Sequence, residues 1–207
     1  MSPPTSTIVY VVDDDADVRT ALVRLLASAG HEAVAFDSPG AFLAGFDREA
    51  EACLLLDLAM PDIDGLELQQ LLEDDAQALP IVFLTGHADV RKSVQAMKRG
   101  AMDLLQKPVE DGVLLATVAQ ALAKAASLRA QAGERQRIAD AVGALTPRER
   151  QVLQGVVRGR LNKQIAAELG MAEKTVKFHR GNAMRKLNVR TVADLVKLAD
   201  RAGIGSS

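Results

Sequence analysis

Three short apolar runs constrain this chain more than anything else in it: IVYVV at 8–12, CLLL at 53–56 and PIVFL at 80–84. Such unbroken runs, bounded by turn-forming residues, suit strands buried on both faces of a parallel sheet. Two further short strands read at 33–36 and 103–106. Helical spacing fills the gaps. Val18, Leu22, Leu25, Leu26 and Ala29 lie on one helix ended by Gly30, and Ser38-Pro39 is an N-cap with Pro at the first helical position of a second, reaching 46. Others read at 65–73 and 89–99, and a fifth starts near Glu110 with Val113, Leu114, Val118 and Leu122 facing inward. Five strands alternating with five helices give a parallel sheet with right-handed crossovers and helices on both faces.

The strands end on particular side chains. Asp13 and Asp14 follow the first, Asp57 the third, Thr85 the fourth and Lys107 the fifth. All fall at the C-terminal edge of the sheet, where open α/β folds bind ligands. Asp15 and Asp17 are accounted for as acids at a helix N-terminus. Carboxylates gathered in a buried cluster repel one another and need a cation. Asp13, Asp14 and Asp57 offer the hard oxygen ligands that Mg²⁺ prefers. A carboxylate beside Mg²⁺ can act as a nucleophile and form an aspartyl-phosphate. Lys107 would supply a positive charge to one phosphoryl oxygen, and Thr85 a hydrogen bond to another.

Charge divides the chain in two. Residues 145–207 carry 13 Lys and Arg against 5 Asp and Glu, net +8, whereas the first 144 hold the remaining 12 and 22, net −10. Two domains are expected, the second drawn to a polyanion. Its helices read from Thr146-Pro147-Arg148-Glu149, a capping box, to 158; from Asn162, a possible cap, to 169; from 173 to 187; and from 191 to 202. Val152, Leu153, Val156, Ile165, Leu169, Val176, Ala183, Leu187, Val192, Leu195 and Leu198 face inward in this reading. Two short helices around Gly170, the second basic, make a helix-turn-helix pattern. Between the halves, residues 126–144 read as an extension of the last helix of the first half that becomes a linker. No apolar run approaches the roughly 20 residues that span a bilayer. The opening MSPPTST lacks a signal peptide's features, so a cytoplasmic protein with no membrane association is expected. Cys53 is the only cysteine, expected as a small buried hydrophobe.

Residues 7–125 resemble the receiver domain of bacterial two-component response regulators, through Asp13-Asp14, DLAMPDIDG around Asp57, TGHADV from Thr85 and Lys107-Pro108. The resemblance implies a flavodoxin-like, doubly wound, five-stranded parallel sheet of order 2-1-3-4-5. It makes Asp57 the phosphoacceptor, with Asp14, Asp57 and the backbone carbonyl of Ala59 binding Mg²⁺ directly and Asp13 mostly through water. It makes the Lys107–Pro108 bond cis. Three residues before the Lys, relatives often carry an aromatic switch residue; here Leu104 stands in that place.

Residues 145–203 resemble the LuxR-type DNA-binding domain, an all-α four-helix helix-turn-helix unit, through LTPRERQVL, NKQIAAELG and TVKFHRGNAMRKL. Lys177 and Phe178 are then candidates for base contacts, with Gly181 on the same groove-facing side. Lys163, Lys174, Arg180, Arg185, Lys186 and Arg190 are candidates for phosphate contacts. Ala172, where many relatives have Ser, leaves the recognition helix without a side-chain cap. The pairing resembles the NarL/FixJ class, with boundaries of 1–125 for the receiver, 126–144 for the linker and 145–207 for the DNA-binding domain. It implies a phosphorylation-controlled transcription regulator whose partners are a sensor histidine kinase, double-stranded promoter DNA and RNA polymerase, and which forms a homodimer on phosphorylation. The helix 89–99 would contribute Val90, Val94 and Met97 to that dimer, with Arg91, Lys92, Lys98 and Arg99 facing Asp103, Glu110 and Asp111. Two other readings are weaker. A haloacid-dehalogenase-type phosphohydrolase needs a second Asp two residues after the nucleophile, where this chain has Ala59. A phosphate-independent DNA binder would leave the complete acidic, Thr and Lys set without a role.

Overall fold

A computed structural model describes residues 7–61, 63–74, 79–86 and 90–201. The chain divides into two compact units, 1–129 and 130–207. In the first, β1 (Thr7–Val12), β2 (Glu32–Phe36), β3 (Glu51–Asp57), β4 (Ile81–Thr85) and β5 (Asp103–Gln106) form one sheet of order β2-β1-β3-β4-β5. Every pairing is parallel. The expected strands are present, with ends displaced by at most two residues, the usual scatter.

Alternation of side chains distributes the strands' apolar residues to two cores. Tyr10, Val12, Leu54, Leu56 and Phe83 enter one, beneath α2 (Pro39–Gly45), α3 (Gly65–Asp74) and α4 (Val90–Lys98). Val9, Val11, Cys53, Leu55, Val82 and Leu84 enter the other, beneath α1 (Ala16–Ser28) and α5 (Asp111–Gly143). The unbroken apolar runs are thus explained: both faces of the sheet are covered. Helix starts follow local chemistry. Asp15 caps α1 by accepting from the backbone N–H groups of Asp17 and Val18, and Ser38 caps α2 through Ala41 N–H.

Two inward assignments are corrected. Val113 is 45% exposed, because Leu114 and Val118 already fill the α5 stripe on the sheet. In the second unit Val192 is also exposed, while Leu195 is fully buried. The Ala-rich α5 has the length and composition to cross a membrane, although its apolar residues do not form an uninterrupted run. Within the first unit its Leu114, Val118, Ala121, Leu122 and Ala125 are buried, as in a core helix.

The second unit packs α6 (Pro147–Val157), α7 (Asn162–Leu169), α8 (Glu173–Lys186) and α9 (Val192–Arg201) around Val152, Leu153, Ile165, Val176, Ala183 and Leu195. Ala141 and Val142, near the end of α5, pack on this core, and Ile138 is buried. Thr146 and Glu149 form the expected capping box of α6. Gly170, at φ 62, ends α7 in the left-handed region. Asn162 does not cap α7. It is the first helical residue, and Gln164 Oε1 instead accepts from the Leu161 N–H at the N-cap. Ala172, at the N-cap of α8, makes no side-chain capping bond.

Candidate functional site

Strand register builds the first site. Val12 lies beside Leu56, so Asp13 and Asp57 follow at neighbouring strand ends. Asp57 pairs with Leu84, one residue before Thr85. Thr85 pairs with Gln106, one residue before Lys107. Four sequence positions scattered over nearly a hundred residues thereby reach one edge. The turn after β3 depends on Gly65: a Cβ there would stand 2.5 Å from the Asp57 carbonyl oxygen.

Asp13, Asp14 and Asp57 offer carboxylate oxygens that all lie within 4.8 Å of one another. Asp13 and Asp57 are buried, and Asp14 is exposed. Lys107 Nζ donates to Asp13 Oδ2 at 2.5 Å and to Asp57 Oδ1 at 2.9 Å. The second Asp57 oxygen accepts from the Ala59 N–H at 3.2 Å. Asp13 Oδ1 accepts from the Asp15 N–H at 3.0 Å, and Arg19 donates to the Asp13 carbonyl at 2.7 Å. Arg19 was not anticipated; its position in the first turn of α1 is what brings it to that carbonyl.

Burial pushes the Asp57 carboxyl above its ordinary range, against the opposing pull of Lys107. Burial alone would depress Lys107, but its bonds to Asp13 and Asp57 outweigh that and raise it. Three carboxylates against one ammonium leave net negative charge in a small volume. With oxygen donors only, that set fits a hard divalent cation such as Mg²⁺. Thr85 is buried at the end of β4. The Lys107–Pro108 bond is cis. Leu104 is half-buried against the first core and borders a surface depression with Val94 and Met97. His87, Ala88 and Asp89 of the TGHADV motif, and Asp62 of the β3–α3 turn, lie outside the described residues.

On α4, Val90, Val94 and Met97 are exposed, as expected for a contact face. Lys92 on α4 and Arg99 just after it are engaged elsewhere. Lys92 is 3.0 Å from Asp64 Oδ2, and Arg99 donates to the Leu66 carbonyl. Asp64, which also accepts from the Leu66 and Glu67 N–H groups, lies below its ordinary pKa; burial opposes this, but Lys92 and the backbone donors prevail.

The second candidate site is the outer face of α8. Lys174, Lys177, Phe178, Gly181 and Arg185 are all exposed and recur at helical spacing, opposite the buried Val176 and Ala183. Lys177 pairs with Glu173 one turn earlier. Arg180 is half-buried and donates to Asn162 Oδ1 on α7, fixing the angle between the two helices at that point. Arg185 donates to Asn182 Oδ1. Lys163 and Arg190 are exposed. Lys186 departs from expectation. Its ammonium is 2.7 Å from the buried Glu149 carboxylate and 3.0 Å from the Ala144 carbonyl, so it ties α8 to the start of α6. Its place at the C-terminal end of α8, beside a carboxylate needed for the capping box, accounts for this.

Comparison with known proteins covers both sites. Residues 9–119 match the response regulator receiver domain, and residues 143–199 match the luxR family of bacterial regulatory proteins. The chain is 40% identical over 196 residues to the transcriptional regulatory protein FixJ of Bradyrhizobium diazoefficiens, covering 95% of this chain and 96% of that one. It is equally similar, at 40% over 196 residues, to the response regulator protein TodT of Pseudomonas putida, covering 95% of this chain and 86% of the relative. Among solved structures, that of the response regulator StyR is similar over 95% of this chain and 99% of its own, with 46% identity and a TM-score of 0.85.

Proposed function

The chain belongs to the NarL/FixJ class of response regulators, a receiver joined to a LuxR-type DNA-binding domain, and on that premise we propose that Asp57 is its phosphoacceptor. A receiver implies a phosphodonor kinase, and the luxR-family domain implies DNA; the chain is a phosphorylation-dependent transcription regulator. The observation that carries the Asp57 assignment is its placement: a buried carboxylate, hydrogen-bonded to Lys107, within an acidic trio.

In the transfer, an Asp57 carboxylate oxygen attacks the phosphorus of a kinase phosphohistidine. The O–P bond forms as the N–P bond breaks, and the imidazole leaves and takes up a proton. Lys107 moves its hydrogen bond from Asp57 Oδ1 to a phosphoryl oxygen, and the Thr85 hydroxyl donates to another. Asp14, Asp57 and the Ala59 carbonyl would hold Mg²⁺, with Asp13 reaching it through water, and the ion when bound supplies charge neutralisation to the phosphoryl oxygens. Attack of water on phosphorus later restores Asp57. Self-catalysed gain and loss of phosphate would be the chain's only enzymatic act.

The new charge of about −1.5 to −2 at the sheet edge would draw Thr85 and Lys107 inward, with Leu104 following from β5. The exposed Val90, Val94 and Met97 on α4 would then meet their counterparts on a second copy about a two-fold axis. A dimer sets two α8 helices on half-sites about one DNA turn apart, or a multiple of it. Lys177 and Phe178 would face bases, while Lys163, Lys174, Arg180, Arg185 and Arg190 would meet phosphates. RNA polymerase is the partner through which promoter binding would act, and a cytoplasmic location fits a kinase-fed DNA binder.

The test is an intact-mass measurement after incubation with acetyl phosphate. One phosphoryl group should be gained with Mg²⁺, and none after chelation or in Asp57→Asn. A gain that survives Asp57→Asn would falsify the assignment.

A further inference from the structure

The outer face of α8 is basic and polar except at two positions. Phe178 is 64% exposed, an unusual state for a large aromatic on a helix whose other apolar residues face the core. Its ring stands edge-on to His179, centroids 5.7 Å apart, so the neighbouring imidazole supports its orientation. Gly181 is one turn further along the same face. It has no positive φ, and a Cβ built there meets nothing within 4 Å. Nothing among the described residues therefore requires glycine at 181, although glycine weakens a helix relative to alanine. Both features lack an internal explanation and both lie where the groove of DNA would come.

We infer that Phe178 reads thymine by packing its ring against a C5-methyl group in the major groove, and that Gly181 is bare so that the base edge can approach that ring. The inference rests on the proposal that α8 enters the major groove. The chemistry narrows the target. A phenyl ring neither donates nor accepts a conventional hydrogen bond, and the thymine methyl is the one apolar feature displayed among the four base edges there. Lys174, Lys177 and Arg185 flank the ring and bring the polyanion to it.

The experiment begins with selection of duplex sites from a random library by the full-length chain held in its phosphate-mimic form with beryllofluoride and Mg²⁺. Each half-site should contain a fixed thymine. Replacing that thymine with deoxyuridine removes only the methyl group and should weaken binding about fourfold, the effect of one buried methyl(ene) group. In Phe178→Ala, which truncates a solvent-exposed side chain, thymine and deoxyuridine should bind alike. Gly181→Leu should retain the wild-type thermal midpoint to within a few degrees and lose binding to the selected site by more than tenfold. Equal wild-type affinity for thymine and deoxyuridine at every position, with Lys177→Ala still impairing the same site, would overturn the methyl reading alone. Failure to select any site would overturn it together with the groove assignment on which it rests.

Discussion

Lys107 Nζ sits 2.9 Å from Asp57 Oδ1, so in the proposed transfer the ammonium that would meet the phosphoryl group already holds the carboxylate that would accept it. Its second bond, to Asp13, makes it the local counter-ion of the resting site. Lys107→Ala should therefore act in two directions. Mg²⁺ should bind more tightly, since a competing cation is gone. Phosphorylation by acetyl phosphate should slow by about 10²–10³, the usual effect of removing one charge-stabilising group. Calorimetric titration of Mg²⁺ and time-resolved intact mass measure the two. Weaker Mg²⁺ binding would show that Lys107 organises the carboxylates rather than competing for them.

The basic residues of α8 should separate by kind. Lys177→Ala should cost roughly 1–3 kcal/mol on the target site if the side chain reads a base. Lys174→Ala should weaken binding to all sequences and reduce the salt slope by about one. Lys186→Ala should instead lower the stability of the C-terminal unit, because its partners are Glu149 and Ala144. Fluorescence anisotropy on specific and random duplexes across a salt series, with a thermal melt of each variant, distinguishes them.

Much of the fold follows from the sequence by simple rules. Apolar runs marked β1, β3 and β4 because both faces of the sheet are covered, and Pro39, Gly30 and the Thr146–Glu149 box marked helix ends by their own backbone chemistry. The edge cluster was legible because parallel topology brings strand C-termini together. The side of a helix on which a residue falls was harder to read at its margins, as with Val113 and Val192. Lys186 could not be placed from its own neighbourhood, since its partner is 37 residues away. The linker read correctly as a helical extension, but its packing did not show: apolar residues there are too sparse for periodicity, yet Ala141 and Val142 pack on the second core and Ile138 is buried. Gln69, read only as part of a helix, is buried and donates to the Ala96 and Arg99 carbonyls at the end of α4.

Acid should weaken the C-terminal unit through Glu149. The Lys186 ammonium and the Thr146 N–H hold this carboxyl below its ordinary pKa. A depressed carboxylate stabilises the fold fully above its unfolded value, about 4.3 for Glu, and that contribution is lost as pH falls through the folded value. Urea midpoints of the unit, followed by the Ile165 methyl resonance, should fall between pH 7 and pH 3. Glu149→Gln should start lower and change less over that window. Identical pH dependence in the two proteins would remove Glu149 as the source.

Dimerisation should depend on α4. With beryllofluoride and Mg²⁺ the protein should sediment as a dimer at tens of micromolar and as a monomer without them. Val94→Glu and Met97→Glu alter exposed residues and should keep the mimic-bound protein monomeric while leaving phosphorylation intact. Tight DNA binding by a mimic-bound monomer would refute the dimer switch.

Cys53 gives the receiver a built-in clock. It is the chain's only thiol, fully buried in β3 four residues before Asp57, and burial pushes its pKa up to about 12. A neutral thiol sealed between the sheet and the layer of α1 and α5 does not react with a disulfide reagent until that core opens. The rate at which such a reagent modifies the protein therefore times the opening of the central strand. Mg²⁺ or a phosphate mimic bound at the end of that strand should lengthen the interval, so occupancy of the Asp57 edge can be followed with a colorimetric reagent and no engineered label.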